Sequence, residues 1–207
     1  MSVAGALRIG RAEPGPNRLT GRLFMVGSFL FGIASVPGAS EVNETVIATT
    51  YFLGSIFFTA AGAETLRTTE ASDRLDLVAS AVQLAGTVMF NVSTYAAIDT
   101  HLKVRSSNFL VWLPDALGSI CFLIASAIAV AALRRAINSG VEVGRTRAIA
   151  LTNLAGSVAF GVSAVGAILV PGTGGVLNAD MAATFTLIGA VCFFVAAYLL
   201  VPRRGAG

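Results

Sequence analysis

Residues 50–62 read TYFLGSIFFTAAG, an apolar stretch in which Gly54, Phe58 and Gly62 follow one another at intervals of four. Such an interval places the three residues on one slowly drifting stripe of an α-helix. The stretch belongs to a longer apolar segment, residues 45–66, and about 20 residues suffice to cross about 30 Å of hydrocarbon as a helix. The sequence therefore predicts a transmembrane helix with glycine and phenylalanine on one face.

The same pattern recurs in six apolar segments, which cover approximately residues 21–38, 45–66, 77–98, 110–133, 148–170 and 181–202. Their central residues read GSFLF, GSIFF, GTVMF, GSICF, GSVAF and GAVCF. Each contains a glycine followed four residues later by a phenylalanine: Gly27 and Phe31, Gly54 and Phe58, Gly86 and Phe90, Gly118 and Phe122, Gly156 and Phe160, Gly189 and Phe193. The chain has only 13 phenylalanines, so chance does not readily place nearly half of them at one position of the pattern.

Composition agrees with a membrane protein. Hydrophobic residues make up 55% of the 207 positions and charged residues only 12%, whereas soluble domains carry about 25% charged residues. A soluble chain of this length must cover its exterior with polar groups. The lipid bilayer is therefore the predicted partner of this surface.

The distribution of basic residues predicts an orientation. One set of segment ends carries twelve arginines: Arg8, Arg11, Arg18, Arg22, Arg67, Arg74, Arg134, Arg135, Arg145, Arg147, Arg203 and Arg204. The opposite set carries only Lys103 and Arg105. Cytoplasmic loops are enriched in Lys and Arg, so this bias predicts that both termini are cytoplasmic. It also accounts for the net charge of +3 without binding to nucleic acid.

An asparagine precedes each even-numbered segment by a similar distance: Asn43, Asn108 and Asn178. The repeating unit is therefore a helical hairpin, with copies near residues 20–66, 77–133 and 147–202.

We predict an all-α, polytopic membrane protein with six transmembrane helices from three repeated hairpins. Residues 1–20 are predicted to form a flexible cytoplasmic tail and 21–207 a single membrane domain. The first segment also resembles a signal peptide that ends at VPGAS (36–40), but its shared motif favours a retained helix.

Two interpretations of the glycine–phenylalanine motif are open. Small residues allow transmembrane helices to approach closely, and a neighbouring phenylalanine can fill the notch that they leave. Alternatively, the glycines line a substrate path between three hairpins, since repeats in transporters often surround their site. We favour helix packing.

Four polar positions within the segments are candidates for such a path. Asp115, Tyr51 and Thr186 lie three residues before the glycines of the even-numbered segments, and Asn91 lies in the third segment. Ionisable groups in a membrane are costly and often functional. The simpler interpretation places Asp115 at headgroup depth as an N-terminal cap, and Asn91 in a hydrogen bond to another helix.

Motifs of catalysis and ligand binding are missing from the sequence. It has one histidine, His101, two separated cysteines, Cys121 and Cys192, and no Gly-rich phosphate loop. Metal and cofactor sites need clusters of such ligands, so we predict no metal, no cofactor and no enzymatic activity.

The hairpins resemble the YrhK-like domain family, most clearly in FMVGSFLFGIAS (24–35), TYFLGSIFFTAAG (50–62) and NLAGSVAFGVSA (153–164). The resemblance implies tandem two-helix modules in a bacterial plasma membrane, and it brings no known activity or catalytic residues. Asn91 departs from the pattern, because Gly32 and Gly161 occupy its position in the other hairpins. The expected function is that of a non-enzymatic integral membrane protein that packs against itself or another membrane protein. The alternative is a small transporter or channel.

Overall fold

The computed structural model describes residues 15–37, 43–70, 74–99, 107–140, 143–170, 172–173 and 175–201. These residues form six long helices: α1 (Gly15–Ala34), α2 (Glu44–Thr68), α3 (Arg74–Ala96), α4 (Leu113–Asn138), α5 (Gly144–Gly166) and α6 (Ala179–Leu200). A π-helical turn, Asn108–Trp112, leads directly into α4. The described part of the chain is therefore all-helical apart from an isolated β-bridge between Leu169 and Val176.

Two of the three recurring asparagines begin a helix as N-caps. The Asn43 Oδ1 accepts hydrogen bonds from the backbone N–H groups of Thr45 and Val46 at 2.9 and 3.3 Å. The Asn178 Oδ1 accepts one from Met181 at 2.9 Å. Asparagine side chains commonly satisfy the free N–H groups of a first helical turn in this way. Asn108 instead lies inside the π-helical turn.

Helix α1 differs from the prediction at both ends. It begins at Gly15, so residues 15–20 are helical although they were assigned to the flexible tail, whose first 14 residues lie outside the described part. Pro16 did not prevent this, because proline is tolerated in the first turn of a helix. The helix ends at Ala34, before Pro37, and the predicted segment extended four residues too far.

Five helices are long and apolar enough to cross a membrane: α2, α3, α4 with its π-helical turn, α5 and α6. Helix α1 does not satisfy the same criterion. Its first two turns contain Arg18 and Arg22, so only the remainder of its 20 residues is continuously apolar. The predicted sixth crossing thus depends on how the arginines of α1 sit at the membrane surface.

The helices form a closed ring in chain order. Each helix packs against its neighbours in the sequence, and α1 packs against α6. Successive helices run in opposite directions, so the described arginines of the helix ends gather at one end of the ring, here called the arginine end. At this end Gly21 of α1 lies so near Val201 that a Cβ at Gly21 would be 2.7 Å from its Cγ2. The described ends of the chain therefore lie side by side.

Candidate functional site

The glycines of the motif meet in pairs within each hairpin. A Cβ atom at Gly27 would lie 2.9 Å from the Gly54 carbonyl oxygen, and one at Gly54 would lie 3.1 Å from the Gly27 oxygen. Gly86 and Gly118 make the same reciprocal contact at 3.0 Å in both directions. Gly156 and Gly189 do so at 3.2 and 3.1 Å. The backbones of the two helices in each hairpin therefore approach so closely that a side chain at these glycines would force a neighbouring group to shift.

The phenylalanine of one helix packs on the glycine of the other. A Cβ at Gly54 would lie 2.7 Å from the Phe31 ring, and one at Gly118 would lie 2.9 Å from the Phe90 ring. The ring of Phe160 lies against Gly189 in the same way. The notch left by each of these glycines is therefore filled by an aromatic ring of the same hairpin.

In each even-numbered helix, the residue three positions after the motif glycine also packs on the motif glycine of the other helix in the same hairpin. These residues are Phe57, Cys121 and Cys192. A Cβ built on the facing glycine (Gly27, Gly86 or Gly156) would lie 3.4, 2.8 and 3.1 Å, respectively, from their Cβ atoms. Both cysteines are free and half-buried. Their common spacing from the glycine was present in the sequence, but their different side chains concealed the shared role.

All six motif phenylalanines converge on the axis of the ring in two layers. Phe31, Phe90 and Phe160, from the odd-numbered helices, form a triangle with centroid distances of 6.3, 6.0 and 5.7 Å. The second triangle comes from the even-numbered helices, with centroid distances of 6.3, 6.3 and 5.4 Å among Phe58, Phe122 and Phe193. We call these six residues the phenylalanine core.

Edge-to-face and tilted contacts join the two layers. The layers meet within each hairpin, at 5.1 Å between Phe31 and Phe58, 5.3 Å in the second hairpin and 5.0 Å in the third. Such geometry is favourable for aromatic rings and adds about 0.5–1.5 kcal/mol per pair beyond area burial. Every ring of the core is at most 5% exposed. The axis is thus closed by packed side chains where the motif glycines meet.

Polar side chains link neighbouring hairpins at two of the three interfaces between them. Between α2 and α3, the hydroxyl oxygens of Ser55 and Thr94 lie 2.9 Å apart. Between α4 and α5, the hydroxyl oxygens of Ser126 and Ser157 lie 2.7 Å apart, and the Asn153 amide donates to Ser126 at 2.9 Å. Hydrogen bonds between membrane helices contribute about 0.6 kcal/mol each on average.

At the third interface, between α6 and α1, the residues of α6 in the corresponding positions are apolar. Ala190 and Ala197 of α6 occupy the places that hydroxyl residues hold at the other interfaces, and both are almost completely buried. Ser28 of α1 is also buried, and its Oγ has no hydrogen-bond partner among the described residues. Among the described residues, this interface is therefore held by close packing rather than by hydrogen bonds between side chains.

Two of the predicted polar positions are satisfied within their own hairpins. The Tyr51 hydroxyl lies 2.7 Å from the Ser35 Oγ, and its ring contacts Phe31 at 5.1 Å. Thr186 lies 2.6 Å from Ser163 in the third hairpin. Both pairs lie on the side of the phenylalanine core that is opposite the arginine end. They hold the two helices of a hairpin together there.

Asp115 occupies the equivalent position of the second hairpin without an equivalent partner. Its carboxylate makes no hydrogen bond with any described residue, whereas the hydroxyl groups of Tyr51 and Thr186 are both hydrogen-bonded. The interpretation of Asp115 as an N-terminal cap is wrong, because the π-helical turn that leads into α4 already begins at Asn108. Asp115 lies three residues before Gly118, as Tyr51 does before Gly54, so each belongs to the glycine stripe of its own helix.

Asn91 lies apart from these residues, between two hairpins. Its Nδ2 donates to the Thr59 hydroxyl of α2 at 2.9 Å, which confirms the predicted hydrogen bond to another helix. Its Oδ1 is buried and has no partner among the described residues. Asn91 thus belongs to the α2–α3 interface rather than to the axis.

The arginine end contains further polar contacts. Arg67 donates from Nε and Nη2 to the carboxylate of Glu64 at 2.8 and 2.7 Å, so the two residues form an ion pair. Arg145 of α5 donates to the carbonyl oxygens of Leu199 and Val201 at 2.6 and 2.7 Å. A cation at a helix C-terminus satisfies free carbonyl groups and the helix dipole. Arg145 therefore holds the end of α6.

Groups of His, Cys, Asp or Glu that could hold a metal ion are not found among the described residues. No known family model matches the chain. No curated protein is similar to it in sequence. No solved structure matches its fold. The resemblance to the YrhK-like family stays a prediction.

Proposed function

We propose that the chain is a non-enzymatic integral membrane protein that acts as a compact helical module and associates with other membrane components through its lipid-facing surface. The observation that supports this proposal is the phenylalanine core, together with the three glycine pairs. The small-residue faces that usually drive helix association are occupied within the chain. A partner, whether another copy or a different membrane protein, would therefore contact the outer face of the ring.

The proposed setting is a bacterial plasma membrane, with six crossings and both termini in the cytoplasm. The described arginines gather at one end of the ring, as expected for the cytoplasmic side. The sixth crossing is α1, in which Arg18 and Arg22 reach the headgroup region at that end while Phe24 and Phe31 pack in the core. Long arginine side chains near a helix end commonly extend to the interface in this way.

A transporter or channel is the second candidate function, and Asp115 is the observation in its favour. A carboxylate within an apolar helix, with no hydrogen-bond partner among the described residues, is a feature of many ion and solute paths. The phenylalanine core closes that axis, so transport would require the rings to separate. This function therefore demands a second conformation, whereas the first does not.

Flux through sealed liposomes distinguishes the two functions. We expect the wild-type protein to conduct neither small ions nor small neutral or cationic solutes. The double substitution Phe31→Ala and Phe58→Ala removes one ring from each layer, and this variant should leak small ions if it remains folded. Flux through the wild-type protein that Asp115→Asn abolishes would overturn the first proposal and support the second.

A further inference from the structure

The position five residues after the glycine of each odd-numbered helix faces the neighbouring hairpin, and it is occupied differently in the three hairpins. In α3 this residue is Asn91, which fills the α2–α3 interface and bonds Thr59. In α1 it is Gly32, which is covered by side chains of α6: a Cβ there would lie 3.9 Å from both Ala190 and Leu187. Two of the three interfaces are therefore closed at this position.

The third interface is open. The residue of α5 is Gly161, and no atom lies within 4 Å of the place that its Cβ would take. Here α4 and α5 border a cavity of about 170 Å³. Its walls include Trp112 at the end of the π-helical turn, Ile120 and Leu123 from α4, and Val165 from α5. Missing side-chain volume at Gly161 is thus the direct cause of the cavity.

The cavity opens on the outer face of the ring. Ile120 is 51% exposed and Val165 is 50% exposed, and both belong to helices that are long and apolar enough to cross a membrane. In a bilayer this face contacts hydrocarbon rather than water. The mouth of the cavity is therefore directed toward lipid.

The polar groups of the wall are already used. The indole N–H of Trp112 donates to the Ala164 carbonyl oxygen at 3.0 Å, and the Ser119 hydroxyl donates to the Phe160 oxygen at 3.4 Å. Neither donor is available to a polar ligand. Apolar cavities of about 150 Å³ remain dry and accept small hydrocarbons. The chemistry of the wall thus selects an apolar occupant.

We propose that this cavity is a binding site for a fatty acyl chain of a bilayer lipid. The proposal rests on the membrane location proposed above, and on the opening of the cavity toward lipid. An acyl chain supplies the contacts that Asn91 provides in the α2–α3 interface and that Leu187 provides in the α6–α1 interface. Empty space would forfeit the dispersion contacts of its lining, and a bilayer always offers hydrocarbon to fill it.

Trp112 is the only tryptophan of the chain, so its fluorescence reports on the cavity. The protein is reconstituted in dioleoylphosphatidylcholine vesicles, in which a dibrominated analogue replaces the lipid in increasing proportion. Bromine quenches the tryptophan on contact, and the dependence on mole fraction yields the number of lipid chains that touch it. We expect this number to be lower by one in Gly161→Leu than in the wild type, because leucine fills the cavity.

Gly144→Leu is the matched control, since it makes the same change at the arginine end of α5, where a Cβ also meets nothing within 4 Å. It should leave the number of chains unchanged. The double variant Gly161→Asn and Leu123→Thr introduces between α4 and α5 the pair that Asn91 and Thr59 form between α3 and α2. It should lower the number of lipid chains that contact Trp112 as Gly161→Leu does. Flotation of each variant with vesicles checks the membrane location separately. Equal quenching in floated wild type, Gly161→Leu and the double variant would overturn the acyl-chain site.

Discussion

Substitution of Gly54 by alanine adds a single methyl group at the tightest point of the first hairpin. The new Cβ would lie 2.7 Å from the Phe31 ring and 3.1 Å from the Gly27 carbonyl oxygen. The ring cannot move aside easily, since it contacts Tyr51 and Phe58 at 5.1 Å each. The two helices must therefore separate. Overpacking of this kind costs about 1–3 kcal/mol.

Gly161→Ala is the matched substitution, because it adds the same methyl group in mid-helix where nothing lies within 4 Å. Both variants gain the same helix propensity, about 1 kcal/mol, so that contribution cancels in the comparison. We expect Gly54→Ala to be less stable than Gly161→Ala by about 1–3 kcal/mol. Gly161→Ala should be as stable as the wild type or more stable.

The measurement is unfolding in mixed micelles with increasing dodecyl sulfate, followed by far-ultraviolet circular dichroism. Gly189→Ala extends the series, since the Phe160 ring lies even nearer to that glycine, and it should lose at least as much stability as Gly54→Ala. Equal stability of Gly54→Ala and Gly161→Ala would refute close backbone approach as the reason for the glycines.

Five further substitutions test the interior. Phe58→Ala removes a ring that is 0% exposed and should destabilise the protein by about 3–5 kcal/mol, whereas a loss below 1 kcal/mol in the same unfolding assay would contradict the packed core. Ser157→Ala should lower the stability by about 0.6 kcal/mol. Ser28→Ala should be neutral or stabilising, because the Ser28 Oγ has no partner among the described residues and removing an unbonded buried hydroxyl costs little. A larger loss of stability in Ser28→Ala than in Ser157→Ala in the micelle assay would contradict this. Asn91→Ala should cost about 0.6–1.7 kcal/mol, and Thr59→Ala combined with it should add little, which a double-mutant cycle measures.

Periodicity of the sequence was sufficient to predict the helices and the residues that face the interior. The interval of four between Gly54 and Phe58 recurs in every helix, and helical geometry alone then places both on one face. The number of helices and their antiparallel order follow from apolar length and short connections. Helix ends were less accurate, since Pro16 and Arg18 resemble a polar tail but form the beginning of α1.

The interval of four between glycine and phenylalanine does not indicate which helices pack against each other. Each glycine had several possible partners on other helices, and only the three-dimensional arrangement selects Gly27 with Gly54. The interpretation of Asp115 as an N-terminal cap was also wrong, because a π-helical turn, Asn108–Trp112, precedes α4. Asn91 was interpreted correctly as an interhelical donor, since an amide in a membrane span needs a partner wherever it lies.

Closure of the ring explains why the same motif produces a filled axis rather than a pore. Each hairpin contributes two phenylalanines, one to each layer, and three hairpins therefore supply six rings in two adjacent layers. Rings from different hairpins lie 5.4 to 6.3 Å apart within the layers, which is the range of direct aromatic contact. A substrate path along this axis would have to break several of these contacts at once. Smaller side chains at the same positions would leave the glycine pairs intact and open the centre, so the aromatic residue, and not the glycine, determines whether the axis is closed.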